Sequence, residues 1–156
     1  MEKLSIEEAE KIYIENLSPT EKLDDFFPLW RSKKCIPKYD SPLDCYKKII
    51  DIFYQKSLTS DKVKHNVYHN FFSAFSSLFN ENGSPNYEKL FNDWEITTLV
   101  LIDGVLLEWS NVIRLRTPKI GVTSKRNIKE MEEVIIPCLL CLREMCYNEL
   151  MKKEKK

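Results

Sequence analysis

Apolar side chains recur every three or four residues along most of this chain, the spacing of one helix face, and they seldom alternate as a half-buried strand would. The first run predicts a helix over 6–16 with Ile6, Ala9, Ile12 and Tyr13 inward, opened by a capping box of Ser5 and Glu8. Ser18-Pro19, Ser41-Pro42 and Ser84-Pro85 each read as an N-cap followed by a first-turn proline. The helix from Pro19 carries Leu23, Phe26 and Phe27, and Pro28 ends or kinks it. Residues 31–41 show no period and predict a surface connection. The third helix, from Pro42 to Lys56, sets Leu43, Tyr46, Ile49, Ile50 and Phe53 opposite Asp44, Lys47, Lys48 and Asp51. Ser60 caps a fourth over 61–81, with a main stripe of Val63, Val67, Phe71, Ala74 and Leu78. A second stripe of Tyr68, Phe72, Phe75 and Phe79 runs beside it.

The segment from Thr97 to Trp109 is nearly all apolar, with Asp103-Gly104 at its middle. Asp-Gly is a strong hairpin signal, which leaves an α+β fold turning there as the alternative. The spacing Tyr87, Phe91, Trp94, Thr98, Leu101, Val105, Trp109, Val112 passes through the glycine unbroken, however, and Leu99-Val100-Leu101-Ile102 does not alternate. The pattern therefore predicts a central apolar helix over 85–113, with Gly104 admitting a closely crossing neighbour. Beyond it the chain turns basic and irregular until Thr123 or Ser124 caps a last helical stretch. That stretch turns Ile128, Met131, Val134 and Ile135 inward, is kinked or restarted at Pro137, and continues through Leu139, Leu142, Met145, Cys146 and Leu150. The expected fold is all-α: a single-domain bundle of five to seven helices over 1–151, with 152–156 a disordered basic tail. Amphipathic helices around an apolar central one resemble the Bcl-2 architecture. The segments Leu78-Phe79-Asn80-Glu81-Asn82-Gly83 and Asn86-Tyr87-Glu88-Lys89 resemble its first homology region, without that region's Trp-Gly-Arg core. Such a likeness of architecture carries no function.

Composition narrows the field of partners. Twenty-four basic residues balance 24 acidic ones, so no whole-molecule field draws the chain to nucleic acid or an anionic membrane. An odd number of cysteines, five, and a start without an apolar signal segment lead us to expect an intracellular protein, cytoplasmic or nuclear. No apolar run reaches the roughly 18 residues that would span a bilayer.

Candidate chemistry is sparse. With glycine only at positions 83, 104 and 121, neither a phosphate-binding loop nor a dinucleotide turn can form, and no nucleophile elbow is present. His65 and His69 lack the Glu three residues upstream that a di-iron bundle needs. His65, His69, Cys138 and Cys141 have the spacing of a two-His, two-Cys tetrahedron, but the cysteines lie among Ile136, Leu139, Leu140 and Leu142 as small core residues. The histidines fall on the solvent side of their helix, so no metal and no other cofactor is expected. Asp103 is either a carboxylate whose charged form burial disfavours or a member of a structural pair. It shares a face with Glu88, Asn92, Glu95 and Ser110, which predicts that it points the polar way.

These features predict a non-enzymatic adaptor or regulatory subunit that takes a partner helix or a second subunit in an apolar, aromatic groove lined by Tyr68, Phe72 and Phe79. The alternative is a nucleic-acid-binding accessory protein that uses Arg114, Arg116, Lys119, Lys125 and Arg126 on phosphates. A small helical enzyme with Asp103 in a pocket is the third reading.

Overall fold

A computed structural model describes residues 3–25, 27–33, 36–80, 94–115 and 131–154. Among them are six α-helices and no strand, which is the all-α bundle of the periodicity. Helix α1 (Ile6–Glu15) begins at Ser5, whose Oγ accepts the Glu8 amide at 3.1 Å and donates to Glu8 Oε1 at 3.0 Å. Its phase differs from the expected one. Tyr13 faces the core as expected and Ile14 joins it, but Ile6 and Ile12 are 55% and 47% exposed, because α1 lies at the margin of the bundle and buries no residue fully.

Helix α2 is a single turn, Thr20–Leu23, and no side chain caps it. The Ser18 carbonyl and Thr20 hydroxyl instead receive Arg143 (2.7 and 3.3 Å), so a distant guanidinium sets this corner. The chain then makes a 3₁₀ turn at Trp30–Ser32, entered through Leu29 at a positive φ of 68°. Part of the expected surface connection is in fact a strap. Ile36 and Tyr39 pack on the core, and Arg31 bridges Asp24 (3.1 Å) and Glu144 (2.7 Å).

Helix α3 (Pro42–Ser57) starts as its sequence dictates, with the Ser41 hydroxyl accepting the Asp44 amide at 3.1 Å and proline in the first turn. Helix α4 (Lys62–Ser76) is capped by Asp61 rather than Ser60, since the longer carboxylate reaches both the Val63 and Lys64 amides. The two helices pair through rings: Phe53 lies 5.6 Å from Phe71 and 6.3 Å from Tyr68 and Phe75. Val63, placed on the main stripe by its spacing, is 42% exposed, and Ala74 is exposed as well.

Helix α5 (Trp94–Leu115) runs straight through Asp103-Gly104, so the hairpin does not form; residues 85–93 of the expected helix lie outside the described residues. Its buried side carries Ile96, Leu99, Ile102 and Leu106, with Glu95 and Thr98 among them. The face expected to be polar is therefore largely an inward one. A π-helical turn at Met131–Ile135 leads into α6 (Ile136–Glu154), with Pro137 at its second position. Proline lacks the N–H of a regular ladder and clashes with the carbonyl four residues back, and the widened turn relieves both problems. Every residue from Ile135 to Arg143 is buried, which places the first half of α6 at the middle of the bundle beside α5. Lys152 and Lys153, expected in a frayed tail, continue the helix; Lys153 Nζ reaches Glu95 Oε1 at 3.1 Å, and Glu95 is 4% exposed. None of the helices among the described residues is long and apolar enough to cross a membrane.

Candidate functional site

The aromatic residues expected to line a groove are taken up in packing instead. Tyr68 is 1% exposed and packs on Phe53, which makes it a core residue. Phe72 is half-buried against Tyr54 with ring centroids 5.3 Å apart. Phe79 lies 4.6 Å from Tyr46 and 6.2 Å from Trp94. The second stripe meets α3 through Phe53, Tyr54 and Tyr46, and Phe79 also reaches Trp94 of α5. Of the basic group, Arg114 falls within the last turn of α5, whereas Arg116, Lys119, Lys125 and Arg126 lie outside the described residues. Cys138 and Cys141 are buried while His65 and His69 are exposed on α4, so the four do not come together.

What the fold does bring together was scattered over the sequence. Arg143, with a side chain only 2% exposed, directs Nε at Asp103 Oδ1 (2.7 Å), Nη2 at the Ser18 carbonyl and Nη1 at Thr20 Oγ1. Tyr13 donates its hydroxyl to the other carboxylate oxygen, Asp103 Oδ2, at 2.6 Å. Four segments are tied at this point: α1, the α2 corner, α5 and α6. Burial, then the hydrogen bond to Asp103 and its charge, push the Tyr13 phenol far above its ordinary range, so it stays protonated as a donor. Asp103 is thus in the structural pair weighed for it, and it faces a protein cation.

Beside this cluster opens a groove of about 320 Å³ lined by Ser18, Leu23, Phe27, Asp103, Leu106, Leu107 and Arg143. Its walls are leucine and phenylalanine and its polar end is the ion pair. Leu107 stands at 67% exposure on the groove's rim, on the same helix as the exposed Val100 and Gly104. Arg143, Leu107 and Phe27 were not singled out by periodicity as site residues. One signal was present: a guanidinium inside the apolar run of α6 requires a carboxylate, and Asp103 is the carboxylate at the middle of the apolar run of α5.

No family model, no curated protein and no solved structure matches this chain.

Proposed function

We propose that the chain is a non-enzymatic protein-interaction module, an adaptor or regulatory subunit, and that its groove between α2, α5 and α6 accepts an apolar segment of a protein partner. The reading rests on one observation: an open cleft of about 320 Å³ walled by Leu23, Phe27, Leu106 and Leu107, with Leu107 two-thirds exposed at 67%. An apolar cleft with a few polar groups at one end is the usual form of a binding site. The titratable groups at that end are committed to one another. Asp103 accepts from both Arg143 and Tyr13, and Arg143 also donates to the Ser18 carbonyl and the Thr20 hydroxyl, so the cleft offers apolar surface with a paired acid and base at its end.

The test places a photo-crosslinking amino acid at position 23, on the lining of the same cleft, and compares capture by that chain with capture by the same chain carrying Leu107→Asp. The reading expects one reproducible partner at position 23, and its loss in Leu107→Asp with folding stability within about 1 kcal/mol of wild type, as for a surface change. Undiminished capture by Leu107→Asp would overturn it.

A further inference from the structure

His65 and His69 lie one turn apart on the exposed side of α4, with ring centroids 5.5 Å apart and planes inclined by only 15°. His65 Nδ1 sits 2.7 Å from the Ser57 carbonyl oxygen. That oxygen can only accept, so Nδ1 carries the proton, and the neutral ring keeps its lone pair on Nε2. Anchoring one imidazole nitrogen on a backbone carbonyl while the other stays open is how metal-ligating histidines are oriented. The Ser57 carbonyl is itself held in place, because it also accepts the Thr59 amide at 2.9 Å in the short link into α4.

We propose that His65 and His69 form a two-imidazole site for a borderline divalent transition-metal ion, Ni(II), Cu(II) or Zn(II). Two histidines four apart on a helix supply two such ligands on one face. Imidazole suits these ions, and each nitrogen binds at about 2.0–2.1 Å. Two nitrogens in adjacent positions around such an ion stand about 2.9–3.4 Å apart. The His69 ring, exposed on the same face, is the one that must turn toward the anchored His65 to reach this separation. Among the described residues no cluster of three or more metal-binding side chains includes the pair, so the ion keeps open positions for water or for a ligand of another molecule. This site is separate from the groove and does not depend on it.

The test is calorimetric titration of Ni(II) into the full chain, freed of metal and kept reduced without thiols. Wild type, His65→Asn, His69→Ala and the double variant are compared, with circular dichroism verifying the fold. Asparagine retains a donor for the Ser57 carbonyl and removes the Nε2 ligand. The expected result is one ion per chain, affinity at least tenfold weaker in each single variant, and no saturable binding in the double. No saturable binding to wild type, or tenfold weakening in fewer than both single variants, overturns the proposal.

Discussion

Arg143 Nε donates to Asp103 Oδ1 at 2.7 Å, and this contact joins the two apolar helices at the middle of the bundle. The guanidinium is 2% exposed and the carboxylate 32%. Taking the charge from Asp103 leaves Arg143 buried without a counter-charge, held by the Ser18 carbonyl, the Thr20 hydroxyl and the Tyr147 ring 5.9 Å away. Breaking one side of a fully buried pair costs about 3–5 kcal/mol, and partial hydration of Asp103 lowers the figure here to about 2–3 kcal/mol. Asp103→Asn is expected to lose that much in urea unfolding. Asp103→Asn with Arg143→Met should lose less than the sum of the single variants, by more than about 1 kcal/mol of coupling. A single-variant loss under about 0.5 kcal/mol would show that the pair does not hold the helices together.

The phase of α4 is tested by truncating its two stripes. Tyr68 is 1% exposed against Phe53, so Tyr68→Ala should cost about 3–5 kcal/mol. Phe72 is half-buried and meets Tyr54 near the surface, so Phe72→Ala should cost about half as much. Equal losses, or the reverse order in chemical denaturation, would mean that the helix is turned otherwise.

Helix existence was legible because the signals are local. Ser5 with Glu8, and Ser41 with Pro42, begin helices by chemistry within four residues, and the unbroken period through Gly104 outweighed the hairpin signal of Asp-Gly. Helix phase was less legible. A period tells that one side is apolar, but Ile12, Val63 and Leu107 are apolar and exposed, while Glu95, Thr98 and Arg143 are polar and buried. Their placement depends on partners far along the chain: Asp103 lies 40 residues from Arg143, and Ser18 lies 125 from it. The groove was missed for the same reason, since α2, α5 and α6 meet only in the folded chain. Pro137 was legible as a disturbance, and the widened turn that absorbs it was not.

Gly104 was expected to admit a close neighbour, but a methyl group built there meets nothing within 4 Å, and the residue is exposed. Its presence in mid-helix therefore carries only the entropic cost of glycine. Gly104→Ala should raise stability by about 0.5–1 kcal/mol, read as a higher urea midpoint with unchanged slope. A loss of stability would place a neighbour at that surface.

Alkaline pH should unfold this protein progressively, and the sign follows from its buried phenols and thiols. Burial pushes the Tyr46 phenol far above its ordinary range, and Tyr13 follows for the reasons given above. Tyr39 is pushed up to about 12 by burial first and then by the charge and hydrogen bond of Cys141. The Cys45 thiol is raised by its contact with Cys141, whose sulfur lies 3.9 Å away, and by burial. Each of these groups keeps its proton when folded, whereas in the unfolded chain cysteine releases it near pH ~8.5 and tyrosine near ~10. Above those values the unfolded state binds fewer protons than the folded one. Stability is therefore full below about pH 8.5 and falls as pH rises, more steeply beyond about 10, by up to about 1.4 kcal/mol per pH unit for a fully buried group. Urea midpoints measured from pH 7 to 11 should trace this decline. Tyr46→Phe starts lower, since it loses the hydroxyl that donates to the Phe75 carbonyl at 3.0 Å, but it should decline less between pH 10 and 11. Midpoints that stay level to pH 11 would mean that these groups ionise as freely in the folded chain as in the unfolded one.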